Sequence, residues 1–221
     1  MQTVAILPVK RFADAKQRLS EGLPSATRRA LAEAMLTDVL VALRRAERVG
    51  AVIVVTAEPA AEALALGYGA RVVPDTREAG QSAAAEIGVA SATDADAALL
   101  VPGDCPALDP AQVDALIASV EPAPSVVVVP DRHGTGTNGL LLHPPDAIAP
   151  SFGPGSRERH EELAARAGAA LRVEALPSLV HDVDTPDDLE AMRQALEGSR
   201  GGAAHTRGLL RRLARTSAAA K

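Results

Sequence analysis

Ala97-Ala98-Leu99-Leu100-Val101-Pro102-Gly103-Asp104-Cys105-Pro106 runs apolar without a polar break into a Pro-Gly-Asp turn. An uninterrupted apolar run of this length reads as a central parallel strand buried on both faces, because such a strand has no solvated side to keep polar. Its turn then presents Asp104 at the carboxyl end of the sheet, where open α/β folds place their ligands.

The same arrangement is read twice more. Thr3–Val9 precedes Lys10, Arg11, Lys16 and Arg18, and an expected strand at Ala170–Leu176 precedes His181-Asp182-Val183-Asp184. All three chemistry-bearing segments are therefore expected to leave one edge of the sheet.

Between them, strand-like and helix-like patterns alternate in a βαβ series. A long helix is expected near Ser25–Arg48, with Leu31, Met35, Val39 and Leu43 at four-residue spacing and Arg28, Arg29, Arg44 and Arg45 on its solvated side. Strands are expected at Ala51–Thr56, Ala70–Val73, Ser125–Val129 and Thr137–Leu142, and helices near Pro59–Leu66, Glu78–Ala92, Gly155–Ala167 and Pro186–Leu196. Asp109-Pro110-Ala111-Gln112 reads as a helix start, with Asp109 as N-cap, Pro110 at the first helical position and Gln112 completing a capping box. The fold class is α/β: one Rossmann-like domain over residues 1–197, with a mostly parallel central sheet flanked by helices. Residues 198–221, basic and free of acidic side chains, read as a mobile tail, with a short amphipathic helix through Leu209, Leu210 and Leu213 as the alternative.

Composition narrows the function. The chain has 221 residues, 47% hydrophobic and 1% aromatic, so its core must be built from Ala, Val and Leu, and base-stacking platforms for single-stranded nucleic acid are not expected. A formal charge of −5 and no basic stripe before the tail argue against a duplex-binding surface. The single cysteine, Cys105, excludes an internal disulfide, no apolar stretch approaches the length of a bilayer span, and no signal-peptide pattern is read. A cytoplasmic protein without membrane or nucleic-acid partners is expected.

Asp104, Asp182 and Asp184 are candidate ligands of a hard divalent cation. Magnesium takes oxygen donors, and a spacing of two puts Asp182 and Asp184 on one face of an extended segment. Asp187 and Asp188, beside Thr185-Pro186, read instead as first-turn acids of a helix. His181 is left unassigned. Lys10, Lys16 and Arg18 suit the phosphates of a nucleotide, whereas Arg11 reads as a solvated cation. There is no Walker sequence, and Gly134-Thr135-Gly136 lacks the third glycine of a dinucleotide fingerprint, so a P-loop kinase or a dehydrogenase is disfavoured.

Pro8-Val9-Lys10 with Ala15-Lys16-Gln17-Arg18-Leu19, Pro102-Gly103-Asp104-Cys105-Pro106, Gly134-Thr135-Gly136-Thr137-Asn138, Phe152-Gly153-Pro154-Gly155-Ser156 and Asp182-Val183-Asp184-Thr185-Pro186 together resemble the phosphoenolpyruvate or 2-phospho-L-lactate guanylyltransferases of coenzyme F-420 biosynthesis, relatives of the molybdenum-cofactor guanylyltransferases. The resemblance spans about residues 2 to 197. It implies a nucleotidyltransferase fold of the GT-A-like kind and GTP-dependent transfer of GMP to a three-carbon phosphorylated acid, with release of pyrophosphate. Mg2+ on Asp104, Asp182 and Asp184 is implied as cofactor, with Lys10, Lys16 and Asp104 as the catalytic set. By the same resemblance Thr137, Gly153 and Ser156 hold the acid, with the backbone amides near Gly155-Ser156 favouring an anion, and Lys10, Lys16, Arg18, Gly80 and Ser82 hold the nucleotide. A downstream transferase of the same pathway is an implied partner.

Thr137 also fits an ordinary strand position. Gly80-Gln81-Ser82 departs from the Gly-x-Asn with which this superfamily often reads the base, and Ser82 offers fewer hydrogen bonds than Asn. The molybdopterin branch is disfavoured, because Pro8-Val9-Lys10 is not its Gly-rich loop. The residues do not separate phosphoenolpyruvate, 2-phospho-L-lactate and 3-phospho-D-glycerate; the Arg- and Ala-rich composition resembles actinobacterial members of the family, and that resemblance implies the first. A glycosyltransferase and a catalytically silent nucleotide-binding protein of the same fold are the alternatives.

Overall fold

Alternation at period two sorts the strand side chains between two buried layers. In strand β1 (Thr3–Val9), Ala5 and Leu7 enter one apolar cluster while Val4 and Ile6 enter another on the opposite face. Strand β4 (Ala97–Leu100) does the same with Ala97 and Leu99 against Ala98 and Leu100, all fully buried. The computed structural model describes residues 1–13, 16–20, 22–198 and 201–219, with side chains through Arg215. Ala15 and Lys221, both part of segments singled out above, lie outside the described residues.

The remaining strands are β2 (Val49–Thr56), β3 (Arg71–Pro74), β5 (Ser125–Pro130), β6 (Thr137–His143) and β7 (Ala170–Val173). They form a seven-stranded sheet in the order β3-β2-β1-β4-β6-β5-β7. β6 runs antiparallel to both β4 and β5, and the other neighbours pair in parallel, so the expected mostly parallel sheet is present, with β4 parallel on one side only.

Helices α1 (Ser25–Arg45), α2 (Pro59–Gly67) and α4 (Pro110–Ala118) cover one face of the sheet, through residues such as Val39, Ala61 and Leu116. Helices α3 (Gln81–Ala90) and α5 (Ser156–Ala167) cover the other, through Ala84, Ala85 and Ala164. Contact between α3 and the sheet is close: a Cβ on Gly88 would run into Ile6 Cγ2 and stand 3.2 Å from Val55 Cγ2.

Several expected boundaries shift for identifiable reasons. Helix α3 begins at Gln81 rather than near Glu78, because Glu78 (φ 45°) and Gly80 (φ 99°) hold backbone conformations that no α-helix accepts. Strand β7 stops at Val173 rather than Leu176. It pairs with β5 alone, and Pro177 opens a 3-10 turn, so the segment 181–184 leaves a turn and not a strand end as expected. Asp109 does cap α4, accepting from the Ala111 amide at 2.9 Å, but Gln112 does not close a capping box; its Oε1 accepts from the Ser178 amide at 3.1 Å. Helix α6 (Pro186–Gly198) has the first-turn acid pattern expected of it: the Thr185 amide donates to Asp188 Oδ2 at 2.7 Å and the Asp188 amide donates to Thr185 Oγ1 at 3.2 Å.

The segment expected to be a mobile tail is instead helix α7 (Ala204–Ala219), docked on α1. Leu31 and Met35 of α1, Met192 and Leu196 of α6, and Ala203 and Leu209 form a third apolar cluster between these helices. Asp38, in the middle of α1 and 4% exposed, accepts from the His205 amide at 3.0 Å and from the Thr206 amide at 2.8 Å, so it caps α7 from a neighbouring helix. α1 thus has two buried faces, one toward the sheet and one toward α6 and α7.

Candidate active site

The loops at the carboxyl ends of β1 and β4, the start of β6, the N-terminal ends of α3 and α5, and the segment before α6 surround one cleft of about 920 Å³. β1 delivers Lys10 to its rim and the loop beyond it carries Lys16 and Arg18, all three lining the cleft. That loop is tied down at both ends: the Phe12 amide donates to Glu58 Oε2 at 3.0 Å, and Leu19 is buried against the α1 side. Arg11 is exposed, as expected of a solvated cation, and forms a two-pronged ion pair with Glu78 across the cleft mouth, Nε to Oε2 at 2.6 Å and Nη2 to Oε1 at 2.9 Å.

Lys16 holds a left-handed backbone conformation (φ 58°) that turns its side chain to the cleft floor, where its ammonium bridges Asp104 and Asp184, the latter at 3.2 Å. Burial alone would lower the pKa of this ammonium, but Asp104 first and then Asp184 outweigh it and hold the group above the ordinary lysine value. Asp182 completes the group. Burial, reinforced by the neighbouring Asp104, raises its carboxyl pKa, while the Asn138 side chain opposes this by donating to Asp182 Oδ1 at 3.1 Å. Asn138 is itself fixed by a 2.7 Å bond to the Leu179 carbonyl.

These carboxylates suit a hard cation. Asp104 Oδ1 is buried with no hydrogen-bond partner, a state that costs free energy unless something positive meets it. With Lys16 seated among the carboxylates, no group of three His, Cys, Asp or Glu side chains among the described residues closes around a single point. The donors are all oxygens, which fits magnesium or manganese rather than a soft metal.

The opposite wall carries the loops expected to hold an anion. Asp131 orders the first of them by accepting from the amides of His133 and Thr135, each at 3.1 Å. A Cβ on Gly136 would stand 3.0 Å from the Asp131 Cγ, so only glycine lets the carboxylate fold in so closely. Thr137 follows at the start of β6. In the second loop Gly153 (φ 107°) and Gly155 (φ 69°) turn the chain into α5, and Gly153 and Ser156 line the cleft beside Thr137. The Ser156 and Arg157 amides are not free for an anion, since they donate to the Gly153 and Thr135 carbonyls at 3.0 and 3.2 Å. Arg159 braces this loop by donating to the carbonyls of Ser151, Phe152 and Pro154.

Gly80 lines the cleft, but Ser82 does not; its hydroxyl oxygen accepts from the Phe152 amide at 2.9 Å and ties α3 to the loop before α5. His181 also stays out of the cleft lining, with its Nδ1 buried and without a partner. Two contributors were missed from the sequence. Asn138 is a polar residue inside an otherwise apolar strand, which itself demands a buried partner. His160 follows Ser156 at helical spacing and precedes Ala164 by the same interval, so all three share the buried face of α5.

A phosphoenolpyruvate guanylyltransferase from Conexibacter woesei is 54% identical over 220 residues, covering 98% of this chain and 99% of that protein. A nucleotidyl transferase from Methanothermobacter thermautotroptrophicus shares the fold with a TM-score of 0.65 at 20% identity, covering 90% of this chain and 99% of the other. A Mycobacterium tuberculosis protein solved in complex with manganese does so with a TM-score of 0.58 at 21% identity, covering 90% and 100%. The family described as guanylyl transferase CofC like matches residues 3–219, and the chain belongs to that family.

Proposed function

We propose that this cleft transfers GMP from GTP to the phosphate of phosphoenolpyruvate, releasing pyrophosphate, as the step that commits the three-carbon acid to coenzyme F-420 biosynthesis. An oxygen of the acid's phosphate forms a bond to the α-phosphorus of GTP, the bond from that phosphorus to the bridging oxygen breaks, and the electron pair leaves with pyrophosphate. No general base is required, because the attacking phosphate is already anionic near neutral pH. What carries the reading is the Lys16, Asp104, Asp182 and Asp184 cluster at the cleft floor, facing Thr137 and Ser156 on the opposite wall.

In this reading Asp104, Asp182 and Asp184 hold a divalent cation, with magnesium as the physiological ion. When bound, it neutralises phosphate charge as negative charge develops on the leaving pyrophosphate. Lys16 then exchanges its carboxylate partners for phosphate oxygens, and Lys10 and Arg18 meet the same triphosphate from the rim. Gly80, at the start of α3, lies where a nucleotide would approach the N-terminal end of that helix. Thr137, Gly153 and Ser156 bind the acid. We place the protein in the cytoplasm, where a buried free thiol such as Cys105 persists, and its product would pass to a second transferase of the same pathway.

The test is pyrophosphate release from purified protein with magnesium, GTP or ATP, and phosphoenolpyruvate, 2-phospho-L-lactate or 3-phospho-D-glycerate in turn. Release with GTP and phosphoenolpyruvate, lost in D104N, is the expected result. Silence with all three acids would leave sugar-nucleotide transfer or simple nucleotide binding to be assayed next.

A further inference from the structure

His160 has no role in the chemistry above, yet it is fully buried directly behind the expected acid-binding wall. Its two ring nitrogens have distinct partners. Nε2 faces the Ser151 amide at 2.8 Å, and since an amide can only donate, Nε2 must be the unprotonated nitrogen. Burial, helped by the adjacent Arg159, lowers the ring pKa to about 4, so the imidazole is neutral and its one proton resides on Nδ1. Nδ1 lies 3.0 Å from Thr137 Oγ1. The ring therefore donates to the Thr137 oxygen, and the Thr137 hydroxyl proton cannot point back at the ring. Thr137 lines the cleft, so that proton is available to an acceptor there.

The assembly is held rigidly. Phe152 meets the His160 ring edge-on, with centroids 5.3 Å apart and planes at 75°, and Ser82 and Arg159 anchor the same loop. We infer that His160 is a positioning residue that fixes the Thr137 hydroxyl as a hydrogen-bond donor to an anionic oxygen of the acid substrate. The inference rests on the acid-binding role proposed for Thr137. It also gives the wall a polarity: a carboxylate or phosphate oxygen is accepted, and a group that can only donate is rejected.

Two measurements test it. The first uses the wild-type protein and needs no turnover: the nitrogen NMR spectrum of the imidazoles, with His160 assigned by its loss in H160N, should show Nδ1 protonated and Nε2 bare. A proton on Nε2 overturns the inference whether or not the enzyme works on any acid. The second compares KM for phosphoenolpyruvate and for GTP in T137V, H160Q, H160N and the T137V/H160Q double variant. Glutamine places an acceptor near the Nε2 position but leaves Thr137 without its donor, whereas asparagine restores a donor near Nδ1. H160Q and T137V should each raise the acid KM about 10- to 100-fold, the usual scale for a hydrogen bond to a charged group, with the GTP KM unchanged. The double variant should be no worse than T137V alone, and H160N should recover most of the loss. Additive effects in the double variant, a parallel rise in GTP KM, or an H160N defect exceeding that of T137V would show a general packing role instead. If H160Q does not fold, the tautomer and the H160N comparison still decide the matter.

Discussion

Removing the carboxylate of Asp38 should undo the docking of α7, and the size of the effect follows from its contacts. Both carboxylate oxygens accept from backbone amides at the start of α7, at 3.0 and 2.8 Å, and Thr206 is fully buried. Loss of a helix N-cap costs about 1 kcal/mol, and leaving buried amides without partners adds roughly 1–3 kcal/mol, so D38A should lose ~2–4 kcal/mol. For a domain of this size each kcal/mol lowers Tm by about 2–4 °C, which gives a fall on the order of 10 °C. D38N, which keeps one accepting oxygen, should fall between D38A and wild type. Urea melts supply the free energy, and hydrogen exchange of the α7 amides supplies the location. In D38A those amides should exchange well before the strands do. A D38A protein within ~0.5 kcal/mol of wild type, or α7 amides protected as in wild type, would mean that the apolar cluster alone holds the helix and that the capping argument is wrong.

Acid should destabilise the protein through His160. Its folded pKa is about 4 against 6.5 ordinarily, so the unfolded chain takes up a proton that the native state refuses. The associated stability is present above pH 6.5 and is lost as pH falls toward 4, by up to ~1.4 kcal/mol per unit and ~3 kcal/mol in all; melts of wild type and H160N across that window should diverge accordingly. D182N should separate stability from function. Removing a half-buried carboxylate whose charged form the fold disfavours leaves the metal-free protein as stable as wild type or slightly more so, while titration with Mn2+ shows binding weakened at least about 10-fold. G88A should destabilise by roughly 1–3 kcal/mol, because the new methyl enters space held by Ile6 and Val55; a neutral melt would mean that α3 can move off the sheet. K16M should lower kcat/KM for GTP by about 100-fold or more, since the cation proposed to meet the phosphates is lost, and unchanged turnover would remove Lys16 from the proposed chemistry.

Much of this was legible in the residues themselves. Ala97–Val101 with its Pro-Gly-Asp turn sets the sheet and the acid at its edge, because an apolar run without a polar break has to be buried on both faces. Lys10, Lys16, Arg18, Gly80, Asp104, Thr137, Gly153, Ser156 and Asp184 all reach the cleft, as does Asp182. Lys10, Lys16, Arg18, Gly80 and Asp104 do so because they follow β1, β3 and β4, and loops after parallel strands open on one side of the sheet. Other features have no local signature. Lys16 bridges carboxylates 88 and 168 residues away, Ser82 braces a loop 70 residues on, and Asp38 caps a helix 167 residues later. Local pattern sets which face of a strand or helix is apolar, and that much can be read along the chain. Which buried polar group meets which depends on how the elements stack, and the need of every buried donor and acceptor for a partner is met only in three dimensions. That is why a basic, small-residue segment that reads as a tail becomes a docked helix, and why a histidine marked along the chain only by its helical spacing stands behind the proposed acid site.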